Sequence, residues 1–89
     1  MMRERDLHRL FASVKNEKEA RKLLNDLFTP RERHSLGERW AIVRALVSGM
    51  PQREISKKFN VSISKITRGS RSLRYGSGGF RLFLKRFRK

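Results

Sequence analysis

Residues 52–73 read QREISKKFNVSISKITRGSRSL, and this stretch decides the fold. Ile55 and Phe59 lie one helical turn apart, which predicts the apolar face of a short helix ending near Phe59. Asn60 follows at once, and Asn tolerates the left-handed backbone of a tight turn. Ser62 is a favourable N-cap for a second helix that continues to the end of the stretch. Two short helices joined by a tight turn are therefore expected.

A small shared core is predicted for this helix pair. Val61 in the turn and Ile66 on the second helix can meet Ile55 and Phe59. Ser56 is small, as a close crossing of the second helix requires. In a helix-turn-helix, the second helix protrudes from the protein surface, where it can enter the major groove of DNA. We therefore expect this pair to bind DNA.

The exposed face of the second helix carries short side chains that let it approach base edges, and an apolar contact to a thymine methyl is available. Gln52 and Arg53 begin the first helix and can reach phosphate and guanine, respectively. The predicted DNA-binding residues on the pair are Gln52, Arg53, Ser56, Ile63, Ser64 and Thr67. Each of these positions could instead be an ordinary solvated surface position.

The charge of the whole chain favours the same partner. It has 89 residues, with 23 Lys and Arg against 8 Asp and Glu, giving a net charge of +15. Such a domain repels itself unless a polyanion lies nearby. Nucleic acid is the leading candidate partner, and an anionic membrane surface is the second. A ribosomal or nucleoid protein would show the same excess of positive charge.

Several classes of protein are disfavoured. The chain has no cysteine, which excludes a disulfide scaffold and a Cys-based zinc finger. His8 and His34 have no metal-ligand spacing around them. We expect no membrane span, because no apolar run approaches about 18 residues, and the charged N-terminus favours a cytoplasmic protein. Without paired carboxylates or a nucleophile–base pattern, no enzyme activity is expected.

The remaining chain predicts four more helices, so the fold class is all-α, with six helices in a single domain over residues 1–89. Thr29-Pro30-Arg31-Glu32 is a strong start signal for a long third helix, which we take as the core helix, and Gly49 follows its end. Asn16 is the expected N-cap of the second helix. Apolar spacing places a first helix on Leu7, Leu10, Phe11 and Val14. A glycine-rich break precedes a basic sixth helix at about 79–87.

Residues 63–70, ISKITRGS, with QREI at 52–55, resemble the tryptophan repressor family closely. LFTPRER at 27–33 and LGER at 36–39 add to the likeness, which covers roughly residues 23–73. The resemblance implies an intertwined all-helical homodimer that binds an operator made of two half-sites. It also implies L-tryptophan as a non-covalent corepressor, bound between the dimer core and the helix-turn-helix, and no other cofactor.

The resemblance assigns a ligand pocket residue by residue. Arg39 and Arg68 match the two arginines that sandwich the indole ring, and a guanidinium plane can stack on an aromatic face. Gly69 matches the pocket glycine, and Ser72 matches the serine near the ligand amino group. Arg39 could also be one more surface arginine, and Gly69 could simply allow close helix packing.

Thr29 and its neighbours match a turn that, in this family, comes from the partner subunit. The backbone carbonyls of that turn contact the amino group of the ligand. The chain departs from the family pattern at four positions in and around these sites. Asp26 and Phe28, which we include in the ligand site, stand where better-known members carry leucines. Lys65 replaces a short hydroxyl residue and Arg71 an asparagine, and we add both to the DNA-binding set because they supply phosphate affinity or alter base choice.

Three hypotheses follow. The first is a tryptophan-responsive transcriptional repressor acting on tryptophan biosynthesis or transport genes. The second keeps the fold but binds DNA constitutively or answers another small molecule. The third is a structural nucleic-acid-binding protein with no operator.

Overall fold

The computed structural model describes residues 3–87, and this part of the chain is all-helical without any strand. The six helices are α1 (Glu4–Ala12), α2 (Glu17–Leu27), α3 (Pro30–Val47), α4 (Gln52–Phe59), α5 (Ile63–Tyr75) and α6 (Gly79–Phe87). The predicted fold class and helix order are confirmed. None of these helices is long and apolar enough to cross a membrane.

The chain divides between Arg33 and His34 into two compact units. The first holds α1, α2 and the first turn of α3, and the second holds the rest of α3 with α4, α5 and α6. The assignment of residues 1–89 to a single domain stays a prediction. The last two basic residues of the C-terminal stretch, Arg88 and Lys89, lie outside the described residues.

In the first unit, the predicted cap of α2 is present. Asn16 Oδ1 accepts from Glu19 N over 2.9 Å, and Glu19 Oε1 accepts from Lys15 N over 3.0 Å. The apolar face predicted for α1 included Val14. Because α1 ends at Ala12, Val14 lies outside the helix. Neither α1 nor α2 contains a buried residue.

The start of α3 also forms as its sequence predicts. Glu32 Oε1 accepts from Thr29 N over 2.9 Å, while Thr29 Oγ1 accepts from Glu32 N over 3.2 Å. The backbone N–H of Thr29, and then its hydroxyl, hold the pKa of Glu32 below its usual range. Because Pro30 has no N–H to satisfy, it fits the first helical position.

In the second unit, α3 ends in a Schellman motif. Gly49 has φ +92°, its N–H donates to Leu46 O over 3.1 Å, and Met50 N donates to Ala45 O over 3.1 Å. Glycine adopts this left-handed backbone without a Cβ penalty. The stop signal predicted at Gly49 is confirmed.

The core of the second unit joins α3 to the helix-turn-helix. Its buried residues are Ile42, Ala45, Ile55, Val61 and Ile66, with Leu46, Met50 and Phe59 partly buried against them. The four residues predicted for the small core are all in this cluster. The sequence did not show that α3 supplies its other wall.

Aromatic contacts place α6 against α3. The ring of Trp40 stacks on Phe80 with centroids 6.3 Å apart, and it meets Phe87 edge-on at 5.8 Å. Arg81 Nε donates to Leu73 O over 2.9 Å and so ties α6 to α5. The sixth helix has its predicted bounds, and its apolar side is a packing surface for the core helix.

Candidate nucleic-acid interface and adjoining cavity

The turn between α4 and α5 has the geometry of a helix-turn-helix. Asn60 adopts the left-handed conformation with φ 54° and ψ 52°. Ser56 Oγ donates to Val61 O over 2.7 Å, and Val61 N donates to Ser56 O over 3.1 Å. The Ser56 side chain, predicted to contact DNA, therefore has its hydroxyl engaged inside the turn between α4 and α5.

The outer face of α5 is exposed along its whole length. Ser62 Oγ accepts from Lys65 N over 3.3 Å and caps the helix at the end that would enter a groove. A shallow groove of about 590 Å³ runs along this face. We call it the α5 groove, and its lining is Ile63, Ser64, Thr67, Arg68, Arg71, Ser72, Tyr75 and Gly76.

Four of the predicted DNA-binding residues lie together in the α5 groove: Ile63, Ser64, Thr67 and Arg71. Gln52 and Arg53 are exposed at the first turn of α4. The short side chains of the groove can approach base edges, and the side chains of Gln52 and Arg53 are free to reach base edges or phosphates.

Sequence reasoning missed Tyr75 because it ended the helix near Leu73. The side chain of Tyr75 is 80% exposed and lines the α5 groove one turn beyond Arg71. The spacing of Ile63, Thr67, Arg71 and Tyr75, four residues at each step, was a signal that could have found it.

Lys65 does not line the α5 groove with the other predicted DNA-binding residues of that helix. Its Nζ lies 2.9 Å from Glu38 Oε1 on α3. His34 Nε2 lies 3.7 Å from the other oxygen of the same carboxylate. Lys65 therefore belongs to the inner side of α5, toward α3.

A cavity of about 270 Å³ lies on that inner side. It is lined by Ser35, Glu38, Arg39, Ile42, Val43, Lys65, Arg68, Gly69, Ser72 and Phe80, from α3, α5 and α6. Four of the residues assigned to the ligand, Arg39, Arg68, Gly69 and Ser72, are thus brought together. Arg68 and Ser72 line both the cavity and the α5 groove.

Gly69 lies on the side of α5 that packs against α3. A Cβ built on it would come within 3.3 Å of Ile42 Cγ2, 3.6 Å of Val43 Cγ2 and 3.7 Å of Leu46 Cδ1. A methyl group here would crowd the side chain of Ile42, in line with the alternative interpretation of close helix packing. The same residue also forms part of the cavity wall.

The sequence missed other cavity residues. Glu38, Ile42 and Val43 share the face of α3 that carries Arg39, so helical spacing could have indicated them. Phe80 comes from α6, and nothing in the sequence indicated that this helix would close the cavity.

The remaining ligand-site predictions lie in the first unit. Asp26 and Thr29 are exposed, and both the N–H and the hydroxyl of Thr29 are engaged with Glu32. Phe28 O accepts from Arg33 Nη1 over 2.7 Å, which leaves one lone pair of that carbonyl for another donor.

Known proteins resemble this chain over most of its length. The family model described as Trp repressor protein matches residues 5–88. A Trp operon repressor homolog of Chlamydia trachomatis serovar L2 is 38% identical over 81 residues, or 85% of this chain and 86% of that protein. One of Mannheimia succiniciproducens is 40% identical over 72 residues, or 80% and 71%. A third, of Vibrio vulnificus, is 48% identical over 56 residues, or 62% and 55%.

The comparison with solved structures gives no match. In residues 3–87, no group of His, Asp and Glu is placed to hold a metal ion. The family match covers both the helix-turn-helix and the residues around the cavity, so the resemblance seen in the sequence is confirmed. The chain belongs to the Trp repressor protein family, whose members are DNA-binding regulators of transcription and not enzymes.

Proposed function

We propose that this repressor is a homodimer that binds operator DNA through α4 and α5 and uses L-tryptophan as its corepressor. The observation that carries the proposal is the cavity behind α5. It gathers Arg39, Arg68, Gly69 and Ser72 directly behind the face that would read DNA. Genes of tryptophan biosynthesis or transport are the corresponding targets.

The chemistry of the cavity suits an aromatic amino acid. A guanidinium such as that of Arg39 or Arg68 can stack on an aromatic ring and can pair with a carboxylate. The hydroxyl of Ser72 can exchange a hydrogen bond with an amino group. The side chains of Ile42 and Phe80 add apolar wall. Its volume of about 270 Å³ falls just below the usual range of ligand pockets, which begins at about 300 Å³.

Ligand binding and DNA binding share one helix. Arg68 and Ser72 face the cavity from α5, and Thr67 and Arg71 line the groove on its outer side. A ligand seated against both α3 and α5 would favour one orientation of α5 over others. Such a preference shifts the population toward the state that fits successive major grooves.

The first unit supports a second copy of the chain as partner. Its two complete helices bury no residue, and they leave large apolar side chains exposed: Leu10, Phe11 and Leu27. An apolar surface of this kind on a small helical chain is expected to be covered by another subunit. The turn at Phe28–Thr29 of the partner subunit would then complete the ligand site.

Calorimetry with L-tryptophan tests the corepressor. We expect heat of binding with the unaltered protein and much less with Arg39→Gln or Arg68→Gln. Arg44→Gln removes an exposed arginine of α3 that does not line this cavity, so it serves as the matched control. Absence of heat and of thermal stabilisation at millimolar ligand would rule out tryptophan.

Footprinting tests the operator. A protected palindrome with two half-sites is the expected result, and its affinity should rise as tryptophan is added. Uniform weak protection of all DNA would instead indicate a structural nucleic-acid-binding protein.

A second candidate function is a repressor of the same fold that responds to another small molecule or to none. The ion pair of Glu38 and Lys65 in the cavity wall favours this candidate. Operator affinity that stays flat during a tryptophan titration would support that candidate.

A further inference from the structure

One side-chain ion pair connects α3 to α5. Lys65 Nζ and Glu38 Oε1 are 2.9 Å apart although 27 positions separate them in sequence. It is the one hydrogen bond between two side chains within residues 3–87. The contact joins the core helix directly to the helix that would read DNA.

The glutamate side chain of this pair is mostly covered by its neighbours. The side chain of Glu38 is 15% exposed, whereas that of Lys65 is 58% exposed. A carboxylate on a mostly covered side chain benefits from its partners, because leaving it unpaired there carries a cost of desolvation. Lys65 is the partner at hydrogen-bond distance, since His34 Nε2 stands off at 3.7 Å. The pair therefore differs from an ion pair between two fully exposed side chains.

Local helix chemistry does not explain a lysine at this position. Lys65 lies in the first turn of α5, where the helix dipole favours negative side chains and disfavours positive ones. Its position is accounted for by the carboxylate that it meets on α3.

The pair and Gly69 attach α5 to α3 at two separate points. Lys65 holds the first turn of α5, close to Ile63 and Ser64, and Gly69 packs on Ile42 one turn later. Both contacts add to the packing of Ile66 in the core, and contacts spaced along the axis of α5 restrict its direction. The direction of α5 determines how its exposed face meets a groove.

We propose that Glu38 and Lys65 form a positioning pair that holds α5 in a DNA-competent orientation when the cavity contains no ligand. Lys65 then acts on DNA binding through Glu38, without contacting a phosphate. The inference rests on the proposed function, because it concerns operator binding. The protein would keep part of its operator affinity without corepressor and would gain less from it.

Glu38→Gln is the sharpest variant. By charge alone, removing a carboxylate strengthens binding to DNA. A positioning pair has the opposite effect: ligand-free operator affinity should fall about threefold to fivefold, the size expected for one ion pair. The loss should shrink at saturating tryptophan, since the ligand then joins α3 to α5. Glu54→Gln, at an exposed acid on α4, is the matched control, and it should leave affinity unchanged or raise it.

Lys65→Met separates positioning from phosphate contact. A positioning role predicts the same ligand-free loss as Glu38→Gln and the same rescue by ligand. If instead Lys65→Met weakens binding equally with and without tryptophan while Glu38→Gln does not weaken it, Lys65 is a phosphate contact and the proposal is wrong.

Amide hydrogen exchange provides a readout without DNA. In the ligand-free protein, both variants should speed exchange in α5 relative to α6. Unchanged exchange together with unchanged operator affinity would overturn the positioning pair. Should the unaltered protein protect no operator at all, the proposed function fails, and the exchange measurement still decides whether the pair restrains α5.

Discussion

Gly69 on α5 packs so closely against Ile42 on α3 that an added Cβ would lie 3.3 Å from Ile42 Cγ2. Alanine at this position gains about 1 kcal/mol of helix propensity, and the crowding costs a comparable amount. We therefore expect Gly69→Ala to change the free energy of unfolding by no more than about 1 kcal/mol. The added methyl should still shift α5 away from α3 and reduce tryptophan affinity, as calorimetry can show.

Gly37 offers the matched control. It also lies inside a helix, but no atom outside its own helix backbone comes within 4 Å of a Cβ built there. Gly37→Ala should raise the free energy of unfolding by about 1 kcal/mol and leave tryptophan binding unchanged. If the two variants affect tryptophan binding equally, the contact at Gly69 does not determine the shape of the cavity.

Local signals were the part of this fold that the sequence could predict. The caps at Asn16 and Thr29, the left-handed residue at Asn60 and the glycine stop at Gly49 are each decided by hydrogen bonds or sterics within a few residues. The four-residue core of the helix-turn-helix was also predictable, because its members lie within twelve positions of one another, from Ile55 to Ile66.

Contacts between distant segments could not be predicted in the same way. The packing of Trp40 on Phe80 and the pairing of Glu38 with Lys65 each depend on how two helices come together, which no local pattern encodes. Lys65 was therefore assigned to DNA by its charge, although its Nζ lies against α3. Arg39 and Arg68 were found only because their neighbours match a family pattern.

The hydroxyl of Ser56 is predicted to stabilise the turn of the helix-turn-helix. It donates to Val61 O from a half-buried position over 2.7 Å. Ser56→Ala should lower the free energy of unfolding by about 1 kcal/mol, the net value of such a bond. Thermal or denaturant unfolding measures the change. Ser64→Ala, at an exposed position of α5, should change stability by less than about 0.5 kcal/mol, and a larger loss there would argue against a special role for the turn.

The start of α3 should respond to acid. Because hydrogen bonds from Thr29 lower the pKa of Glu32, the ionised carboxylate stabilises the folded state. This contribution is fully present above the ordinary pKa of a glutamate and is lost as the pH falls through the lowered pKa. The difference in stability between the unaltered protein and Glu32→Gln should thus disappear in acid.

An NMR titration of the Glu32 carboxyl checks the cause of the shift. Thr29→Val removes the hydroxyl but keeps the backbone N–H, which is the larger influence. The pKa of Glu32 in this variant should rise only part of the way to its ordinary value. Full return to that value would mean that the hydroxyl, and not the N–H, dominates.

The outer end of the α5 groove should contribute to DNA binding in two distinguishable ways. Arg71 is a charged, exposed residue of the groove, so it can neutralise a phosphate and release counterions. Arg71→Gln should weaken binding to every DNA sequence and reduce the slope of log K against log salt by about 0.9. Lys18→Gln removes an equal charge from α2 and should leave that slope unchanged.

Tyr75, one turn further along, carries a phenol hydroxyl where Arg71 carries a guanidinium. Its side chain is exposed and lines the α5 groove, so the hydroxyl can donate to a phosphate oxygen of DNA lying along that groove. Tyr75→Phe should cost about 1 kcal/mol of operator affinity, the net value of one hydrogen bond, and should keep the salt slope of the unaltered protein. Titrations at several salt concentrations separate the two residues, because only the loss of a charge changes the slope. If Tyr75→Phe leaves the operator affinity unchanged, the DNA-contacting surface stops at Arg71, one turn before the end of α5.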